Sequence, residues 1–166
     1  AGLPVFPATT VVEIENTHNR AGGIVFPQDE VVRICAFARE RSIASFLDGA
    51  RLWNAAAASG RSETELAAPF DMVSVSFSKG LGAPAGSVLA GPRDSITRAT
   101  RFRRRLGGAM RQVGILAAAA LHGLDQHRAR LVDDHANARR FATSIANCAA
   151  VTVTECVCDT TAPRMS

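Results

Sequence analysis

Asp71-Met72-Val73-Ser74-Val75-Ser76-Phe77 runs directly into Ser78-Lys79-Gly80-Leu81-Gly82-Ala83-Pro84. The first stretch is apolar and β-branched, which predicts a strand over 72–77; the second is polar and glycine-rich, which predicts a loop at the strand's end. Lys79 is the only lysine in the chain, beside eighteen arginines (19 basic residues less one). A guanidinium can supply positive charge wherever that alone is needed, but it does not deprotonate and so cannot attack a carbonyl. A lone amine at the end of a buried strand therefore points to covalent chemistry, most simply a Schiff base with an aldehyde cofactor. The composition leaves a second reading open, in which an Arg- and Ala-heavy chain keeps one surface lysine.

Working outward, the sequence predicts alternating strands and helices. Thr10 to Glu15 has strand character, and Asn16 to Gly23 is turn-rich. Pro27 opens a helix with an apolar stripe of Val31, Val32, Ile34, Cys35, Phe37 and Ala38, ending near Arg41. Its first turn carries Asp29 and Glu30, where the helix dipole favours negative charge. Ser42 to Leu47 predicts a strand, with Asp48-Gly49-Ala50-Arg51 at its C-terminal end and an alanine-rich helix from Leu52. After the Lys79 loop come a short strand over 87–90 and three helical segments, over 93–106, 110–124 and 125–147. This order predicts an α/β domain with a mainly parallel sheet flanked by helices. Ligands of such sheets gather at the carboxyl ends of the strands. Three successive strands end in candidate site residues: Asn16, then Asp48 and Arg51, then Lys79. Taken alone, Asp48 also reads as a helix cap and Arg51 as a surface residue.

Composition bounds the alternatives. A chain of 166 residues with 47% hydrophobic residues can build a real core. The net charge of +4 raises nucleic-acid binding, but the basicity concentrates between Arg98 and Arg111, with Phe102 the one aromatic interleaved and no nucleic-acid motif. A solvated helix face or a subunit contact accounts for that run, and neither nucleic acid nor membrane is expected as a partner. Cys35, Cys148, Cys156 and Cys158 lack paired metal spacing, so reduced thiols and a cytoplasmic location are expected. No secretory-type leader is evident, and the apolar run from Ile115 to Ala120 is too short to span a bilayer.

Four segments carry a family resemblance: Glu15-Asn16-Thr17-His18-Asn19, Leu47-Asp48-Gly49-Ala50-Arg51-Leu52-Trp53-Asn54-Ala55, Ser78 to Ser87, and Gly107-Gly108-Ala109-Met110-Arg111-Gln112-Val113-Gly114-Ile115-Leu116-Ala117-Ala118. In order and spacing they resemble the threonine aldolases of the β-eliminating lyase family, pyridoxal 5'-phosphate enzymes of the aspartate-aminotransferase fold (fold type I). The similarity runs from Val11 to Asn147. It implies residues 1–147 as part of a cofactor-binding large domain and 148–166 as a divergent or truncated tail.

The resemblance implies that Lys79 carries the cofactor and that Asp48 pairs with its pyridinium nitrogen. Arg51 would lie near cofactor and substrate carboxylate, Ser76 at a phosphate contact, Asn16 close to the ring, and Arg111 near the site across a subunit interface. The implied reaction cleaves L-threonine or a related β-hydroxy-α-amino acid to glycine and an aldehyde, in a homotetramer. Another β-elimination of the same fold and an inactive fragment remain the alternatives. Phe46 stands where many members have histidine. The resemblance further implies a considerably longer chain, whose other segments supply a glycine-rich phosphate loop, a histidine that stacks on the cofactor and a C-terminal domain. Exposed apolar faces, marginal folding and weakened cofactor grip are the expected consequences of lacking them.

Overall fold

A computed structural model describes residues 7–146 together with 148, 150 and 152. The sheet has four strands: β1 (Val11–Glu15), β2 (Ala44–Gly49), β3 (Met72–Ser76) and β4 (Ser87–Ala90), side by side in chain order. β1, β2 and β3 run parallel, with Glu15 opposite Asp48 and Asp48 opposite Ser74; β4 returns antiparallel, with Ser76 opposite Ser87. Both the C-terminal ends of the parallel strands and the start of β4 therefore lie along one edge.

Helix α1 (Gln28–Glu40) connects β1 to β2, and α2 (Leu52–Ser59) with α3 (Glu63–Ala67) connects β2 to β3. Crossovers of one hand that step in sequence across a sheet put their helices on one face. Two clusters form there, Ile14 with Val31 and Cys35, and Leu47 with Leu52, Ala55 and Leu66; Phe70 packs against both. The period of two along each strand turns Glu15, Phe46, Asp48, Met72, Ser74 and Ser76 to the opposite face, where all are partly exposed. Burial pushes the Cys35 thiol up, as expected of an inert core cysteine.

Several expectations are adjusted. The strand predicted over 42–47 spans Ala44–Gly49, so Asp48 lies within it. The alanine-rich helix stops at Gly60, whose φ of 69° closes it, and α3 follows. Ser62 and Glu65 start α3 with a reciprocal capping box that the sequence reading did not use. The helical segment predicted from residue 110 begins only at α5 (Gly114–His122). It continues through a π-turn (Gly123–His127) and a single 3-10 turn (Arg128–Arg130) into α6 (Leu131–Ile145).

Helix α4 (Arg93–Arg105) has no buried residue, and Arg98, Arg101, Arg104 and Arg105 are exposed. Apolar side chains are also exposed around it and beyond, with Leu106 at 83%, Ile115 at 81% and Phe141 at 67%. Among the described residues no helix is long and apolar enough to cross a membrane. The tail assigned to 148–166 falls almost wholly outside the described residues, Cys156 and Cys158 included.

Candidate active site

The sheet edge at the ends of β1, β2 and β3 gathers five of the six candidate residues. Asn16, the first residue past β1, is buried; its N–H donates to the Asp48 carbonyl (3.0 Å) and its Oδ1 accepts from the Phe26 N–H (3.2 Å). The Asn16 side-chain oxygen is thus committed to holding the next loop.

Asp48 does not cap α2. Its Oδ1 accepts from the Ala50 N–H at 3.0 Å, closing a tight turn, and the residue at the helix cap is Arg51, which makes no capping bond. The second oxygen, Oδ2, accepts no hydrogen bond among the described residues, so the carboxylate is oriented by one oxygen and open at the other.

Arg51 is held on the β1 side. Its Nη2 donates to Asn19 Oδ1 at 3.1 Å, and its Nη1 lies 3.9 Å from Glu15 Oε1. Glu15 also accepts from the Asn19 N–H (3.2 Å) and lies 3.5 Å from His18 Nε2. Both Arg51 and Glu15 remain more than a quarter exposed, so this pairing orients the guanidinium at little net energy. Glu15 and Asn19 are the positioning residues that sequence reading missed. The signal lay in the motif Glu15 to Asn19, where only Asn16 was given a role.

Ser76 ends β3 with its side chain on the same face as Asp48, and its hydroxyl has no hydrogen-bond partner among the described residues. Lys79 stands three residues on. It was expected at the end of a buried strand, yet it is exposed, because the loop carries it beyond the sheet edge and nothing in the described residues covers it. Its amine makes no hydrogen bond or ion pair among those residues. The loop backbone is well tied: Gly82 N–H donates to the Lys79 carbonyl (2.8 Å) and Ala83 N–H to the Phe77 carbonyl (3.0 Å). Trp53 packs on Phe77, ring centroids 5.6 Å apart, joining α2 to the base of the loop. Arg111 is not brought into the group. It lies in the exposed turn before α5 and forms no hydrogen bond or ion pair with the other candidates among the described residues.

An amine, a partly exposed carboxylate and a hydroxyl, each with a polar atom unengaged among the described residues, thus stand at or just beyond the ends of two adjacent strands, along one edge of the sheet. Along its sequence, the chain matches the family described as beta-eliminating lyase over residues 4–162. The chain belongs to the beta-eliminating lyase family. It is 44% identical over 140 residues to the low specificity L-threonine aldolase of Escherichia coli K12, covering 84% of this chain and 41% of that protein. It is 44% identical over 133 residues to the low-specificity L-threonine aldolase of Candida albicans, covering 80% and 35%. The chain therefore spans about two fifths of the length of the curated relatives it matches.

Among solved structures, a Listeria monocytogenes protein provisionally assigned as an L-allo-threonine aldolase superposes with a TM-score of 0.79 at 30% identity, over 88% of this chain and 41% of that one. The pyridoxal-phosphate-bound C-S lyase of Staphylococcus hominis, at 15% identity and a TM-score of 0.60 over 84% and 36%, shares the fold alone. The four-stranded mixed sheet with its helices is thus part of the fold of these fold-type-I beta-eliminating lyases.

Proposed function

We propose that this chain carries the cofactor-bearing part of a pyridoxal-phosphate-dependent aldolase, one that cleaves L-threonine or a related β-hydroxy-α-amino acid to glycine and an aldehyde. The observation that carries the reading is the placement of Asp48 near the end of β2 and Lys79 in the loop after the adjacent β3, each with a polar group unengaged among the described residues. Relatives that are threonine aldolases support the substrate class.

The donor set fits the cofactor. Lys79 would hold it through its amine, Asp48 Oδ2 would face the ring nitrogen, and the Ser76 hydroxyl would be available to the phosphate. When bound, the cofactor supplies an electron sink for a carbanion at the amino acid's α-carbon. The protein's work is placement. Asp48, oriented through Oδ1 by Ala50, would hold a proton on the ring nitrogen through its other oxygen, and a charge-assisted bond of that kind is about twice as strong as a neutral one. Arg51, oriented by Glu15 and Asn19, presents its remaining donors to a carboxylate in a planar fork. Asn16 fixes the end of β1 beside Asp48 and so holds the two strand ends in register. Arg111 is assigned to a neighbouring subunit's site within a homo-oligomer, and the cytoplasm is the expected compartment.

The test is the absorbance of the purified chain titrated with pyridoxal phosphate, then borohydride reduction and peptide mapping. The expected result is a yellow band that saturates, a label on Lys79, and loss of both in Lys79→Ala. An unsaturable band, or one that Asp48→Asn leaves unchanged, would reduce Lys79 to an ordinary surface amine. The family description also favours a second reading, β-elimination from an amino acid; its products are pyruvate and ammonia instead of glycine and an aldehyde.

A further inference from the structure

We propose that His127, at the end of the π-turn between α5 and α6, is a positioning residue for Lys79, acting through the carbonyl of Leu81. The inference rests on the reading of Lys79 as the cofactor-bearing amine and identifies what fixes that amine in place. The Lys79 side chain has no hydrogen bond of its own among the described residues, so its location is set by the loop backbone from Phe77 to Gly86.

That loop is clamped from outside. His127 Nδ1 lies 2.8 Å from the Leu81 carbonyl oxygen; a carbonyl only accepts, so Nδ1 carries the proton and donates. Leu81 is 1% exposed between the exposed Gly80 and Gly82, so its side chain and carbonyl add an outside anchor to the loop's own backbone bonds. The contacts are close enough to exclude a methyl group. A Cβ on Gly123 would sit 2.6 Å from the Leu81 carbonyl oxygen. One on Gly80 would sit 2.8 Å from Leu131 Cδ2 and 3.0 Å from Asn54 Oδ1.

The π-turn and the 3-10 turn after it carry a series of contacts onto the loop and α2. Gly123, His127, Leu131 and His135 recur at intervals of four, and each reaches the loop or α2: Gly123 and His127 meet Leu81, Leu131 meets Gly80, and His135 Nε2 accepts from Asn54 Nδ2 at 3.2 Å. His122 meets the His127 ring edge-on, centroids 5.2 Å apart, which limits its rotation. Lys79 is thus fixed by residues more than forty positions downstream.

Two measurements on the whole chain test this. The first is amide hydrogen exchange at Gly82 and Ala83, the second the rate of borohydride-trapped labelling of Lys79 by pyridoxal phosphate. His127→Leu keeps bulk and removes the donor; His127→Asn returns an N–H near the Nδ1 position; Gly123→Ala pushes the carbonyl from beneath while leaving His127 intact. His127→Leu should raise exchange at Gly82 and Ala83 up to about tenfold, the loss expected of one part-buried hydrogen bond, with the amides of Leu47 and Val75 unchanged. Trapping at Lys79 should slow in the same variant, recover in His127→Asn, and slow again in Gly123→Ala. Normal exchange or normal trapping in His127→Leu, or equal loosening in the Leu and Asn variants, overturns the proposal while leaving Lys79's assignment standing. A wild-type chain that traps no cofactor on Lys79 fails the functional reading itself, and the positioning role with it.

Discussion

Acidification should weaken this protein near neutrality through a single buried imidazole. His135 is 9% exposed, and its Nε2 faces the side-chain nitrogen of Asn54, which can only donate. The bond therefore requires neutral His135, and burial holds its pKa below the ordinary value near 6.5, with Asp134 opposing in part. A depressed folded pKa means that the unfolded chain takes up the proton first. The stabilisation is accordingly complete above about pH 6.5 and is lost as the pH falls through the folded pKa. Between the two pKa values one proton is taken up per molecule unfolded, a slope of at most about 1.4 kcal/mol per pH unit. The check is urea denaturation at steps from pH 7.5 to 5 for wild type and His135→Gln, whose amide oxygen can accept from Asn54 and does not titrate. Subtracting one profile from the other removes the contributions that the two chains share. Parallel profiles through that range would refute the reasoning, and with it the neutral Asn54–His135 pair that lies under Gly80.

Asp48→Asn should lower pyridoxal-phosphate affinity about ten- to a hundredfold, the worth of one charge-assisted bond, while its turn survives because an amide oxygen still accepts from Ala50; an absorbance titration with a urea melt checks both halves. Leu47→Ala should cost about 2–5 kcal/mol in urea denaturation, since Leu47 is 1% exposed at the centre of the β2–α2 cluster. Gly49→Ala should destabilise by about 1–3 kcal/mol by the same assay, because its Cβ would lie 2.8 Å from the Ser74 carbonyl oxygen of the adjoining strand.

Much of the site was legible in the chain because its signals are local. A lone lysine after an apolar run, and polar residues closing three successive strands, can be read from neighbours in sequence, since strand period and turn chemistry act over a few residues. The sequence reading likewise reached α1 to within a residue at each end, through Pro27 and the apolar stripe. Local signals blurred where several helices follow one another. Nothing in the composition of 110–130 marks the π-turn, whose geometry depends on what the helix packs against.

The sequence by itself determined the alternation of strands and helices, the kinship, and which side chains could do chemistry. Tertiary structure alone decided how they are held. It set Glu15 and Asn19 on Arg51, committed Asn16 to the Phe26 N–H, turned β4 antiparallel, exposed Lys79 and laid His127 and Leu131 against its loop. The physical reason is range. Periodicity and turn chemistry are written within one or two turns of chain, whereas a bond such as His127 to Leu81 spans 46 residues and exists only once sheet register and helix packing bring the two together.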